Sequence, residues 1–332
     1  MREGSASGER QLAGARADSD HDVAGDGQLA RASAGGCSAA AFCFGCSDDV
    51  GSEEMSRSEL FELELLGGAT ERRYRKMRPE VEAMPWGTMD FSASSEGDLI
   101  AARRAWTGAA YQEHRTAVAC TATLRALLEA RAPVDLVAVC SRFPLDEMVH
   151  VELCSRMAME CGGGTEIRYD PDAVIMDAEK EEHPLRRACE LAVRFFCVGE
   201  AISIPLLRAT WHHSRHPLPR AVLGRIVKDE AAHGVFGFTV LDWAADALTD
   251  EDRVHLGKMA DIGIDFLYRQ WDDLAKRPKS VPHDGDVLQW MQTDDYLALA
   301  YKSLERDVMA PLRARKIPLK ERTTPARLVA AG

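Results

Sequence analysis

The sequence predicts an all-α fold, a four-helix bundle with additional helices towards the C-terminus. Three observations predict it. Apolar residues recur every three or four positions over several long stretches. Strand-like alternation is almost absent. A Glu followed by Asp-Glu-x-x-His occurs twice, once in each half of the helical region.

The elements follow in order. Residues 1–54 are rich in Gly, Ala, Ser and Asp without a sustained period, and are predicted to be disordered. Met55 opens a more ordinary sequence, so the tract before it is read as a non-native extension. Residues 55–94, with Pro79, Pro85 and Gly87, read as an arm with little regular structure. Ser95-Glu96-Gly97-Asp98 is a helix start with an acidic first turn. The first helix runs to about Arg131 and is broken by Ala132-Pro133. The second spans about Val134 to Glu160 and stops at Cys161-Gly162-Gly163-Gly164. An acidic, irregular connection from Thr165 to Glu182 is long enough to cross the bundle. The third helix spans about Pro184 to Ser214, and the fourth about Arg220 to Leu248. A fifth, capped by Thr249, reaches about Lys276. A shorter helix near Asp286 to Met309 and a basic tail complete the chain. Pro144 and Pro205 fall inside helices, where each frees a carbonyl and bends the axis. The domain reading is thus an N-terminal extension (1–54), an arm (55–94), the bundle (95–250), and added helices with a basic tail (251–332).

Composition narrows the function. Hydrophobic residues make up 46% of the 332 residues, enough for a sizeable core, and the formal net charge is -12. That charge argues against nucleic acid, whose phosphates need a basic face, and against an anionic membrane surface. No apolar run approaches the roughly 18 residues of a spanning helix. No signal-peptide layout opens the chain, so a cytoplasmic protein is expected. The 9 cysteines are odd in number, and six lie within apolar helical patterns, as buried thiols of a reducing compartment do. Cys43-Phe-Gly-Cys46, with Cys37 nearby, is half of a tetrahedral metal site and lacks the second pair.

The chemistry-bearing residues are Glu113, Asp146-Glu147 with His150, Glu200, and Asp229-Glu230 with His233. Glu and His three apart share a helix face, one turn from each other. Their neighbours on that face are apolar: Cys120 and Leu124 with Glu113, Cys154 and Met157 with His150, Phe196 and Leu207 with Glu200, Leu223 and Leu241 with Glu230. The carboxylates therefore point at the core. Two helices joined by a short turn are level at positions equidistant from it. The midpoint between Glu113 and Glu147 is residue 130, and that between Glu200 and Glu230 is residue 215; both fall in a helix break. Burying one ionised carboxylate unpaired costs several kcal/mol, so four in one layer demand cations. No Arg or Lys lies on those stripes beside the Glu residues. Two divalent ions would supply the charge, and mixed carboxylate and imidazole ligands suit iron or manganese. A chain with 10 histidines gives about one Glu-x-x-His by chance, so it is the doubled, Asp-preceded and Glu-matched pattern that carries weight.

From Ser95 to Leu248 this pattern resembles the ferritin-like diiron-carboxylate superfamily, in which two helices give one Glu each and two give Glu-x-x-His. The resemblance implies Glu113, Glu147, His150, Glu200, Glu230 and His233 as ligands of two iron ions, with a manganese–iron pair the variant. It implies Glu147 and Glu230 as bridges. It also implies hydrogen bonds from His150 to Asp229 and from His233 to Asp146 that fix each imidazole. No characterised branch fits fully. Classical ferritin has a single Glu-x-x-His, and rubrerythrin adds paired CxxC motifs. Cys154 stands where ribonucleotide reductase small subunits carry a radical tyrosine and where the soluble methane monooxygenase hydroxylase has cysteine. Ser203 matches a hydroxyl residue of the acyl-carrier-protein desaturases. Ile226 replaces a histidine of the arylamine N-oxygenases, and Val149 and Ala232 replace an arginine common in oxygenases.

The function implied is a diiron oxygenase or oxidase that activates dioxygen to oxidise a small organic substrate. Cys154 and Ser203 are its candidate catalytic residues, lining a pocket with Phe196. Its partners would be that substrate, dioxygen or peroxide, and an electron donor of unknown kind, with a homodimer as the candidate assembly. The alternatives are a ferroxidase or peroxide scavenger, and a bundle in which metal serves stability alone. Cys154 and Ser203 also have ordinary readings, as core filler and as a hydroxyl bonded to its own helix. If Met55 is the native start, mass spectrometry of the natural protein will find no peptide from before it; such peptides would refute the reading.

Overall fold

The computed structural model describes residues 58–174, 178, 183–276 and 291–322. The expected disorder before residue 55, the Cys43–Cys46 pair, the start of the helix expected near Asp286 and the end of the basic tail lie outside these residues. In chain order the elements are β1 (Glu59–Leu60), α1 (Gly68–Met77), α2 (Pro79–Glu82), α3 (Glu96–Glu129), α4 (Val134–Glu160), β2 (Arg168–Tyr169), α5 (Pro171–Val174) and α6 (Pro184–Leu191). A π-helical stretch (Ala192–Glu200) joins α6 to α7 (Ala201–His213). Then come α8 (Pro217–Ala244), α9 (Asp250–Lys276) and α10 (Thr293–Ser303), a second π-helical stretch (Leu304–Met309) and α11 (Ala310–Ala314). The fold is an all-α helical bundle.

Four long helical segments form the bundle: α3, α4, the continuous run from α6 to α7, and α8. Their ends follow from local chemistry. Ser95 and Asp98 form a reciprocal capping box at the start of α3. Gly162 and Gly163 take φ of 104° and 123° after α4, and the Gly163 N–H donates to the Ala158 carbonyl, a turn that a residue with a side chain enters only under strain. Thr249 and Asp252 cap α9 in the same reciprocal way as Ser95 and Asp98. The fourth bundle helix begins at Pro217 rather than at Arg220, because Pro217 is well placed at a first helical position and His216 caps it by accepting from the Leu218 N–H.

The arm is more ordered than the sequence suggested. α1 and α2 pack on the bundle through Val81, Tyr74, Met84 and Trp86. Arg78, fully buried, donates to Glu152 of α4 at 2.6 Å and secures the arm. Pro79, which implied irregularity, instead takes the first position of α2. The acidic connection also carries structure: β2 pairs antiparallel with β1 (Glu59 opposite Tyr169, Leu60 opposite Arg168) before α5.

Two apolar clusters fill the interior. The larger joins Phe143, Phe196, Phe236 and Val240 of the bundle to Leu256 and Leu304 of the added helices. The smaller joins Trp106, Val149, Leu153, Cys154 and Ile226 to the arm. α9 packs on the π-helical stretch and α10 on α7, so the C-terminal helices back the third bundle helix. The basic segment after α11 is packed as far as Arg322, whose guanidinium holds Asp261 and Asp265 at 2.7 Å each. α8 meets the π-helical stretch at Gly237, where a Cβ would fall 2.8 Å from the Ala192 carbonyl oxygen and 2.7 Å from Cys197 Sγ. Overpacking of that kind costs about 1–3 kcal/mol. Gly237→Ala should therefore lower the melting temperature by several degrees in a thermal scan; an unchanged midpoint would show that this approach is not tight.

Candidate metal centre

The six acidic and histidine side chains singled out in the sequence meet in one layer between the two clusters. Glu147 and His150 share a face of α4, and Glu230 and His233 share a face of α8, because a spacing of three closes one helical turn. Glu113 comes from α3. Glu200 ends the π-helical stretch, a wide turn of the kind that often marks a functional site. Glu147, His150 and His233 are fully buried, and Glu200 and Glu230 are buried. Glu113 alone of the six retains appreciable contact with solvent, its side chain 13% exposed.

The distances divide the layer in two. His150 Nδ1 lies 3.2 Å from Glu230 Oε1, 3.6 Å from Glu147 Oε2 and 3.7 Å from Glu113 Oε2. His233 Nδ1 lies 3.0 Å from Glu147 Oε1 and 3.1 Å from Glu230 Oε2. Each of the two central carboxylates thus turns one oxygen to one imidazole and the other oxygen to the second. Two groups of ligand atoms result, Glu113–Glu147–His150–Glu230 and Glu147–Glu200–Glu230–His233, the atoms of each within 4.8 Å of one another. Glu147 and Glu230 belong to both.

No family model, curated protein or solved structure matches the chain. The reading of the site rests on its own geometry.

That geometry fits cations. Both Glu147 oxygens, His150 Nδ1, Glu230 Oε2 and both His233 nitrogens are buried without a hydrogen-bond partner. Several of these atoms lie within 3.0–3.6 Å of each other. Buried polar atoms left so are costly, and a metal ion is what satisfies acceptors that converge without donors.

Proton placement tells the same story. Burial, and then the neighbouring Glu147 and Glu230 charges, push Glu113 up to about 8 against the pull of His150. Burial, followed by Glu230 and Glu147, raises Glu200 well above the carboxylate range. Burial also opposes charge on Glu230, but His233 and His150 hold its carboxyl well below that range. Burial likewise opposes charge on both imidazoles and is outweighed, at His150 by Glu113, Glu147 and Glu230, and at His233 by Glu230, Asp146 and Glu147. The shifts thus favour protons on Glu113, Glu200 and the two imidazoles over a fully ionised set of carboxylates.

The two aspartates differ. His150 Nε2–H donates to Asp229 Oδ2 at 3.1 Å, which fixes the tautomer and leaves Nδ1 facing the carboxylates. Asp146 stands 4.0 Å from His233 Nε2, too far for a hydrogen bond. It is held instead by Arg142 at 3.0 Å. Arg225 pairs with Asp229 and also with Glu80 of the arm at 2.8 Å. Sequence reasoning misses these arginines because they do not stand beside the Glu residues along the chain. The signal was present: each stands four residues before its Asp, so the doubled motif is Arg-x-x-x-Asp-Glu-x-x-His.

Cys154 is buried, and burial, then the charge of Glu113, pushes its thiol up. Ser203 Oγ donates to the Glu200 carbonyl at 2.9 Å, a bond within its own helical turn. Phe196 lies on the other side of the layer from Cys154, in the larger cluster, where Phe143 stacks between it and His233. The single pocket expected around Cys154, Phe196 and Ser203 is therefore corrected: an apolar wall stands on each side of the layer. Tyr111, given no role, packs against Phe61 and Tyr169.

Because Glu113, Glu200, His150 and His233 are all shifted towards their protonated forms, a cation entering the layer would compete with protons, and its affinity should rise with pH. Titration calorimetry in buffers of different ionisation enthalpy should show protons released as divalent ions bind. Binding without proton release would contradict this account of the empty layer.

Proposed function

We propose that the protein is a ferritin-like dinuclear non-haem iron oxygenase or oxidase that acts on a small organic molecule. The observation that carries this reading is the sharing of Glu147 and Glu230 between two ligand groups, one oxygen of each to each group. A lone structural ion needs no such doubled, mirrored set, and the carboxylate and imidazole donors suit iron. Bound iron would supply the one-electron steps that dioxygen needs to react with an organic molecule.

The chain's own residues have definable parts in that chemistry. Glu147 and Glu230 would hold both ions, and Glu113 and Glu200, at the two ends of the layer, would each complete one ligand group. Asp229 keeps His150 in the binding tautomer. Phe143, Phe196 and Phe236 on one side, with Leu153, Cys154 and Ile226 on the other, keep bulk water away. Among the described residues no helix is long and apolar enough to cross a membrane.

A second reading, a ferroxidase or peroxide scavenger, is favoured by one observation: the partial exposure of Glu113 gives iron itself a way in. The readings separate on what is consumed. Protein loaded anaerobically with ferrous ion should hold two ions per chain, and Glu147→Gln together with Glu230→Gln should reduce this to trace levels by elemental analysis. On adding dioxygen, a visible absorption change and one dioxygen consumed per loaded chain support the oxygenase or oxidase. Continued uptake of many irons per chain would overturn it in favour of iron handling. No uptake at all would overturn both.

A further inference from the structure

The arm grips both helices that carry a Glu-x-x-His pair, and it grips them beside the first ligand group. On α4, the Tyr74 hydroxyl donates to the Met148 carbonyl at 3.2 Å, and the buried Arg78 donates to Glu152 at 2.6 Å. Those two positions lie two residues before and two after His150. On α8, Arg225 stands one turn before Asp229 and divides its guanidinium between two carboxylates. Nε pairs with Glu80 of the arm at 2.8 Å, and Nη1 pairs with Asp229. Asp229 Oδ2 in turn accepts from His150 Nε2–H at 3.1 Å. One side chain thus bridges the arm to the aspartate that holds a ligand imidazole.

The second group differs. His233 Nε2 is 4.0 Å from Asp146, beyond hydrogen-bond reach. Asp146 pairs at 3.0 Å with Arg142, which is 65% exposed, whereas Arg225 is only 14% exposed. Arg142 also lies 3.7 Å from Asp229, a longer contact than that of Arg225. An ion pair open to water fixes little, and a shielded one fixes more.

We propose that Arg225 is a positioning residue that couples docking of the arm to metal binding at the Glu113–Glu147–His150–Glu230 group. This rests on the metal centre described above and is independent of the reaction at it. The docked arm holds Arg225 in one orientation, Arg225 holds Asp229, and Asp229 holds His150 with Nδ1 turned to the carboxylates. Undocking releases each in turn, and an imidazole free to rotate offers no fixed ligand atom. The coupling is reciprocal: the factor by which docking strengthens binding is the factor by which metal slows opening of the arm. An arm that served only to cover Val81, Tyr74 and Trp86 against the bundle would open equally with or without metal.

The test uses the full chain and manganous ion. Free ion is counted by electron paramagnetic resonance during titration, and amide exchange of peptides spanning Tyr74 to Trp86 is followed by mass spectrometry with and without the ion. Arg225→Ala should weaken binding of one of the two ions roughly 10- to 100-fold and leave the other near its original affinity. Glu80→Gln should weaken the same ion by less, because that pair is half exposed. Arg225→Lys keeps a charge at Asp229 but has one ammonium where the bridge needs two nitrogens. It should recover most of the affinity and leave exchange of the arm insensitive to metal. Arg315→Ala, which breaks a 2.7 Å pair with Asp242 farther along α8, should bind both ions as before. In the unaltered protein, manganous ion should slow exchange of the arm. Original affinity for both ions in Arg225→Ala, an equal loss in Arg315→Ala, or exchange of the arm that ignores metal would overturn the coupling and leave the metal centre standing. No uptake of manganous ion by the unaltered protein would overturn the metal centre and the coupling with it.

Discussion

Four carboxylates in one water-poor layer repel one another, and the rest of the structure is arranged around relieving that repulsion. Each pays a desolvation cost of several kcal/mol if ionised without a partner. Protons relieve part of it: Glu113 and Glu200 keep theirs, and His150 and His233 carry charge against the cost of burial. Two cations would relieve it fully and would also satisfy the buried oxygens and ring nitrogens that lack hydrogen-bond partners. Among the alternatives on hand, arginine reaches only the outer aspartates. Arg142 and Arg225 grip Asp146 and Asp229, and neither is paired with the inner carboxylates.

The two halves repeat in sequence and differ in detail. The first group has a hydrogen-bonded histidine and a partly exposed Glu113; the second has a histidine without such a bond and a buried Glu200 on a π-helical turn. A line of contacts also runs from the arm to the first group, through Glu80, Arg225, Asp229 and His150. The arm is thus tied to one end of the metal layer, and the α9–α11 helices support the other bundle wall.

Much of this was legible in the sequence. The apolar period and the stop signals at Pro133, Gly162 and Pro217 gave the bundle, because helix ends depend on residues a few positions apart. The convergence of six side chains was legible because a spacing of three fixes a face and a short turn fixes a level. What escaped depends on contacts between distant segments. The arm reads as irregular until Arg78 meets Glu152, 74 residues away. The failure of Asp146 to bond His233, where Asp229 bonds His150, is a difference of about 1 Å between identical motifs. The pocket placed around Cys154 and Phe196 assumed that residues on the same stripes share one cavity, and the metal layer itself stands between them.

Anomalous X-ray scattering from crystals of the full chain grown with manganese or ferrous ion is the most direct measurement of the central claim. The account predicts two peaks, both in contact with Glu147 and Glu230, one bounded by His150 and Glu113 and the other by His233 and Glu200. A single peak, or a layer that stays empty at saturating metal, would contradict it.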